Sequence, residues 1–317
     1  MSGPYELRPL TPDVFPLLTP LMEDAFGDIV GPEQFAWKYL DNPAGQAIGN
    51  VAVHSETGEI AAFYGMIPEE YRWGSEVRRI YQSCDTMTSS RHRRKGLFKL
   101  LAMETYRFAQ GADPEFFAFG FGGPTSTPGF VKMGWRIEFQ VRPVFRPRLL
   151  NRLPTRGTAR GEPLRELAEV EQPLLSLIAA REARRPNSKL LSEPFVRWRL
   201  SNPARDYRFV VDPDRAYAIF YPAGTHLFLF DFWEVEPGMG RRVMNAVRDR
   251  SRGQRGVVTL CQTGSDLERQ LRRYWFLSNP LRRGPGSATT PFITYGELAG
   301  GSGADRWEIT PFDHDSY

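Results

Sequence analysis

The sequence predicts a mixed α/β protein of two tandem units, each a mostly antiparallel sheet flanked by helices. Three observations carry that expectation. The chain has 317 residues, which at roughly 100–200 residues per domain gives about two domains. Short strand-like apolar runs alternate with stretches of helical periodicity along the whole chain. Finally, Phe35-Ala-Trp-Lys-Tyr-Leu-Asp-Asn-Pro43 recurs as Phe195-Val-Arg-Trp-Arg-Leu-Ser-Asn-Pro203, with Phe, Leu, Asn and Pro matching at an offset of 160 and Trp37 and Trp198 out of step by one. An offset of about half the chain points to duplication.

In the first unit, residues 5–9 read as a strand and 12–27 and 32–40 as helices. Each copy of the repeat ends its helix at Asn-Pro, because proline pushes the residue before it out of the helical region. Strands follow at 51–54 and 60–64 around Glu56-Thr-Gly58, then at 71–73 and 77–83 across Gly74-Ser75. From Gly96 to Phe108, apolar residues at 97, 98, 100, 101, 105 and 108 give an amphipathic helix. An apolar strand at 116–121, a Gly/Pro/Ser/Thr loop, a short helix to Gly134 and a strand at 137–144 close the unit. Residues 142–163, rich in Arg, Pro and Gly, read as a linker. The second unit repeats the outline: strands at 207–211, 217–221 and 226–232, a helix at 241–250, a strand at 257–260, a helix at 267–277 and a strand at 292–298. The domain division expected is 1–150, a linker and start of the second unit over 151–189, and 190–317.

Composition narrows the function. Hydrophobic residues make up 41% and charged residues 25%, which excludes a wholly disordered or fibrous chain. No apolar run approaches the roughly 20 residues of a membrane helix, and Met1–Asp13 lacks a signal pattern. A soluble, cytoplasmic protein without a membrane partner is expected. Five of the 41 basic residues are lysines, leaving 36 arginines; such a chain readily accommodates an anionic ligand. A net charge of +4 is too mild to argue for nucleic acid. Cys84 and Cys261 are too few for a disulfide scaffold or a zinc site, and His54, His92, His226 and His314 have no metal-ligand spacing. No metal is expected. Cys84 reads as a buried, inert thiol, and Asp313-His-Asp315 as a polar tail.

The segment that carries chemistry is Cys84-Asp-Thr-Met-Thr-Ser-Ser-Arg-His-Arg-Arg-Lys-Gly-Leu-Phe98. A strand runs into a basic turn, and the turn becomes a helix N-terminus at Gly96. There the first backbone N–H groups are unpaired and the helix dipole is positive. A pyrophosphate fits such a turn, because glycine lets it approach the backbone closely. Arg91, Arg93, Arg94 and Lys95 add charge, while His92 reads as an exposed turn residue.

Here the sequence resembles the GNAT family of acyl-CoA-dependent N-acyltransferases, whose loop reads Arg/Gln-x-x-Gly-x-Gly/Ala. This chain has Arg93-Arg-Lys-Gly96-Leu97-Phe98, departing at the last position, and Met133-Gly134-Trp135 stands where that family has Leu-Gly-Phe. The resemblance covers residues 5–145 in order and 190–317 weakly. It implies that backbone amides of Arg93, Arg94, Lys95, Gly96, Leu97 and Phe98 hold the pyrophosphate of acetyl-CoA or another acyl-CoA. Thr86, Met87 and Thr88 would pair with its pantetheine arm as an added strand. The acyl group would pass directly to the amine of a small molecule or peptide. Asp85 lies on the strand that carries a catalytic acid in many relatives, alternates with Cys84, and is the base candidate. The usual acid, a tyrosine four residues before the glycine matched by Gly134, is Phe130 here. Ser126 and Thr127, with Thr125, are the nearest hydroxyls that could protonate the leaving thiolate.

The second unit has Glu236-Pro-Gly238-Met-Gly240 at the corresponding turn, with glycines but no preceding arginine. A degenerate unit that walls the acceptor pocket is expected. Two other functions stay open: a non-catalytic acyl-CoA-binding protein, motivated by Phe130, and aminoacyl transfer from tRNA, as in peptidoglycan-bridge enzymes. The latter need no pyrophosphate loop.

Overall fold

The computed structural model describes residues 4–152, 167–185, 187–278, 289–297 and 307–314. β1 (Tyr5–Pro9) leads through a 3-10 turn into α1 (Phe15–Phe26) and α2 (Pro32–Tyr39). A meander of β2 (Ile48–His54), β3 (Ile60–Trp73) and β4 (Glu76–Thr88) precedes α3 (Leu97–Ala112), β5 (Ala118–Phe121), α4 (Thr127–Lys132) and β6 (Arg136–Pro147). Then come α5 (Leu167–Glu182), β7 (Asn187–Lys189), α6 (Glu193–Leu200), β8 (Arg208–Asp212), β9 (Ala216–Ala223) and β10 (His226–Glu234). The chain ends with α7 (Arg241–Arg250), β11 (Gly256–Gln262), α8 (Asp266–Arg272), β12 (Leu277–Ser278) and β13 (Thr290–Tyr295).

All these strands form one 13-stranded sheet, ordered β1-β2-β3-β4-β5-β13-β6-β11-β10-β9-β8, with β7 on β3 and β12 on β6. It is antiparallel except at β4–β5 and β10–β11 among the described residues. The mixed, mostly antiparallel sheet expected from the sequence is therefore present. The halves also exchange strands. β6, from the first half, pairs with β11 of the second, while β13, from the second, pairs with β5 of the first. β6 and β13 meet at the centre of the sheet.

Alternation along the strands feeds two faces. Val51, Val53, Phe63, Ile67 and Met87 point into a core shared with Phe15, Leu18, Phe35 and Trp37 of the first half and Leu174, Leu177, Trp198 and Phe230 of the second. Ala52, Ala62, Tyr64 and Met66 point the other way, under Leu97, Leu101 and Tyr106 of α3. In the shared core Trp37 and Trp198 stack at 4.9 Å, and each indole N–H donates to the other's backbone carbonyl at 2.8 Å. Their mismatch in the repeat has a simple origin. α2 and α6 begin and end 161 residues apart, whereas Asn42 and Asn202, each accepting from the amide two residues on at 2.9 Å, lie 160 apart. The first turn holds one extra residue.

Several expectations need correction. The strands predicted at 60–64 and 71–73 are one 14-residue strand. β6 runs on to Pro147 through the start of the predicted linker, and residues 153–163 of that linker lie outside the described residues. The helix predicted over 267–277 stops at Arg272, after which Trp275 takes φ 64° and turns the chain. α5 was read as part of the connection. Its buried Val170, Leu174, Leu177 and Ile178 nevertheless carry helical spacing.

The supposed polar tail is the largest departure. Residues 307–314 form a buried strap across the middle of the sheet, held by Gln262 Nε2 to the Trp307 carbonyl (2.8 Å), Gln82 Nε2 to the Asp313 carbonyl (2.7 Å) and Arg199 Nη2 to the His314 carbonyl (2.6 Å). Tyr71 donates its hydroxyl to Asp313. Asp315 lies outside the described residues. Apolar Trp307, Ile309 and Phe312 drive the burial, and His314 stacks on Phe121 at 4.2 Å.

Burial, and then the nearby cations Arg199, Lys38 and Lys189, bring the His314 imidazole down from 6.5 to about 3. The unfolded chain therefore takes up this proton before the folded one does. The stabilisation is complete above pH 6.5 and is lost as pH falls towards 3. His314→Gln should shed this sensitivity, flattening the loss of stability in urea melts on the acid side by up to about 1.4 kcal/mol per pH unit. Identical pH slopes for the two proteins would refute it.

Candidate active site

α3 begins at a turn that no side chain caps. The chain leaves β4, makes a 3-10 turn over Ser90–His92 and reaches α3 through Arg94 (φ 62°) and Gly96 (φ 77°). Two left-handed residues this close curl successive N–H groups into a concavity suited to an oxyanion. The N–H groups of Leu97, Phe98 and Lys99 have no acceptor within the helix. A Cβ at Gly96 would meet nothing within 4 Å, so the front of the loop is open. Arg93, Arg94 and Lys95 stand exposed around it.

Leu97 and Phe98 turn their side chains inward, leaving only backbone to face a ligand. Leu97 joins the core beneath α3. The Phe98 ring fills the space a Cβ on Gly129 would need and stands edge-on to Phe130 at 4.9 Å. The two departures from the GNAT pattern are thus in contact.

Behind the loop, Ser90 N–H donates to Asp24 at 2.7 Å and Ser89 N–H to the Ala61 carbonyl at 2.9 Å. His92 is buried rather than exposed, with Nε2 2.5 Å from Glu59 and Nδ1 2.8 Å from the Tyr5 hydroxyl. It fixes the loop from beneath instead of facing a phosphate.

β4 and β5 pair for three rungs only, Tyr81 with Ala118 to Ser83 with Gly120. They then part, leaving the β5-facing edge of Thr86, Met87 and Thr88 without a neighbouring strand among the described residues. At the point of parting β4 carries a bulge: Cys84 lies opposite Gly65 and Met87 opposite Phe63. Asp85 takes φ 46° there. The bulge overturns the expectation that Cys84 and Asp85 face opposite sides. The Tyr39 hydroxyl donates to Asp85 at 2.8 Å and lies 3.6 Å from Cys84 Sγ. Lys38 Nζ reaches both Asp85 oxygens, at 2.8 and 3.0 Å, with both side chains about nine-tenths buried. Burial, then the Asp85 charge, pushes the Tyr39 phenol well above its ordinary value, so it remains a donor.

The parted strands open into a cavity of about 910 Å³. Ser83, Asp85, Thr86 and Lys38 reach its wall, as do Ser126 and Phe130. The second half contributes Asn202, Arg205 and His314. Thr127 does not reach the cavity. Its hydroxyl donates to the Gly123 carbonyl at 2.7 Å, whereas Ser126 Oγ accepts from Gly123 N–H at 3.0 Å and is 3.5 Å from the same carbonyl. Ser126 therefore keeps the freer proton. Sequence reasoning missed Lys38, Tyr39 and His314. A lysine beside an aromatic on a helix that packs against the sheet was the available signal for the first two.

The second half solves the same turn differently. Between β10 and α7, the Glu234 carboxylate accepts from the N–H groups of Gly238 and Gly240, each at 2.9 Å, and from the Tyr274 hydroxyl. Arg273 lies 3.2 Å away. A carboxylate of the chain itself occupies the concavity that stays open at Gly96.

Among the described residues no helix is long and apolar enough to cross a membrane, and no group of three or more His, Cys, Asp or Glu could hold a metal ion. The sequence profile of the acetyltransferase (GNAT) domain matches residues 6–137. No curated protein sequence matches the chain. Among solved structures, a conserved protein of unknown function from Enterococcus faecalis V583, designated a probable N-acyltransferase, superposes with TM-score 0.65 at 10% identity, over 92% of this chain and 72% of its own. A GCN5-related N-acetyltransferase from Kribbella flavida gives TM-score 0.64 at 12% identity, over 92% and 71%. Saccharomyces cerevisiae N-myristoyltransferase, solved with myristoyl-CoA, gives 0.64 at 14% identity, over 98% and 85%. At such identities these structures speak for the fold alone; the family likeness rests on the profile match, which sets residues 6–137 beside the acetyltransferase (GNAT) domain.

Proposed function

We propose that this protein is an acyl-CoA-dependent N-acyltransferase in which residues 1–150 hold the donor and residues 190–317, a degenerate second copy joined through 151–189, wall the acceptor cavity. The division is one of labour rather than of separate sheets. One observation carries the reading: Phe98, whose backbone belongs to the open loop at Gly96, packs on Phe130, and Phe130 lines the cavity where the strands part.

The backbone of Arg93–Phe98 would hold the pyrophosphate, with Arg93, Arg94 and Lys95 adding charge. The free edge of Thr86, Met87 and Thr88 suits the pantetheine arm. When bound, the donor supplies a thioester carbonyl. A neutral amine in the cavity attacks that carbon, the C–S bond breaks, and the amine proton must leave. Asp85, held by Lys38 and Tyr39, is the proposed acceptor of that proton. Ser126 is the proposed donor to the departing sulfur. Acetyl-CoA is the first donor to try, though the cavity also has room for longer acyl groups and bulky amines. Phe130 favours one other reading, an acyl-CoA binder without turnover.

Thiol release from acetyl-CoA across a panel of primary amines tests the proposal; donor binding without release from any amine would leave the binder. Gly96→Glu puts a carboxylate in the mouth of the loop and should weaken acetyl-CoA binding at least about 100-fold by calorimetry. Unchanged affinity in the folded variant would remove the loop from the donor site. Asp85→Asn should lower kcat by about 100-fold or more while leaving donor affinity nearly intact; an unaltered rate and pH profile would make Asp85 purely structural. Ser126→Ala should slow turnover more than Thr127→Ala, by about tenfold. The reverse order would make Thr127 the donor, and a large gain from Phe130→Tyr would mean that the chain simply lacks an acid.

A further inference from the structure

Lys38 brings a primary amine to the proposed base. Gln34, Phe35 and Lys38 share one face of α2 and line the cavity of about 910 Å³. Lys38 Nζ stands 2.8 and 3.0 Å from the two oxygens of Asp85. An incoming ammonium must make the same contact if Asp85 is to take its proton. The pair is about nine-tenths buried, yet both residues reach the cavity wall, as do Ser126 and Phe130.

The other lysines lack this combination. Lys189 Nζ pairs as closely with Glu69, at 2.8 Å, but neither residue reaches that cavity. Lys95, Lys99 and Lys132 are exposed, and among the described residues none of them lines it. Acetylation in free solution needs an accessible amine that has lost its proton, so it favours exposed lysines and spares a buried, ion-paired one. A base in contact with the amine, inside the cavity that takes the acyl donor, reverses that order.

We propose that Lys38 is a self-acylation site, which takes the acyl group of the protein's own acyl-CoA donor. The inference rests on the reading of this cavity as the place where thioester and amine meet. Asp85 takes one proton from the Lys38 ammonium, and the neutral Nζ attacks the thioester carbonyl carbon. A C–N bond forms, the C–S bond breaks, and the second proton lost from nitrogen goes to the departing sulfur. The product amide carries no charge, so the ion pair with Asp85 is lost while the Tyr39 hydroxyl still donates to that carboxylate.

The test incubates the full chain with deuterated acetyl-CoA at neutral pH, without added amine, and maps the label by mass spectrometry. Lys38 should be labelled at least about tenfold faster than exposed Lys132, with Lys189 left unlabelled. Asp85→Asn should slow labelling of Lys38 about 100-fold and leave Lys132 unchanged. Gly96→Glu, which closes the donor loop, should slow Lys38 in the same selective way. Acetyl-CoA bound by calorimetry with Lys38 labelled no faster than Lys132 would overturn the inference and leave the donor site standing. Equal labelling of Lys38 in either folded variant would overturn it as well. No binding of acetyl-CoA would overturn the donor reading and this inference together.

Discussion

Two antiparallel neighbours from distant parts of the chain, β13 and β6, make the centre of the sheet, and most of the architecture depends on their pairing. Each also closes an edge of the opposite half: β13 satisfies β5, and β6 satisfies β11. Without this exchange, β5 and β11 would each keep only a short parallel contact and a row of buried, unpaired backbone groups. The strap of residues 307–314 and the Trp37–Trp198 pair add side-chain ties across the same junction. The cavity depends on this arrangement. A strand held on one side by β13 can part from β4 on the other without losing its place in the sheet.

In each half a helix follows a strand at the point where a short parallel pair parts, and the two helix N-termini are satisfied differently. At Gly96 the concavity is left to solvent, ringed by Arg93, Arg94 and Lys95. At Gly240 it is filled by Glu234, with Tyr274 and Arg273 completing the carboxylate's partners. Glu234 is 3% exposed, and burial of a carboxylate is tolerated because its oxygens are so fully engaged. The sequence showed only that the second turn lacked arginines and contained Glu236. The residue that matters lies two positions earlier, at the end of β10, where it reads as an ordinary strand terminus.

The elements legible in the sequence were those set by local periodicity and turn chemistry: the α3 helix after Gly96, the hairpins at Gly58 and Gly74, and the Asn-Pro helix ends. What stayed hidden was set by contacts between distant residues. The bulge at Asp85 has no local signature, since nothing in Cys84-Asp-Thr-Met announces an extra residue relative to β3. It decides that Lys38 and Tyr39, more than forty residues earlier, converge on Asp85. His314 was hidden by composition. Flanking aspartates suggest solvent, yet Asp313 is buried by its bonds to Tyr71 and Thr310.

Phe98 and Phe130 raise a different matter. Read along the chain they are two separate departures from one family pattern, thirty-two positions apart. In space they are a single packed unit, with Gly129 against the Phe98 ring. Shrinking Phe98 alone strips the packing from Phe130 and Gly129. Enlarging Gly129 while Phe98 remains forces overlap. Any lineage moving between the ordinary pattern and this one must cross a hollow or crowded intermediate, so the three residues are expected to be inherited as a block.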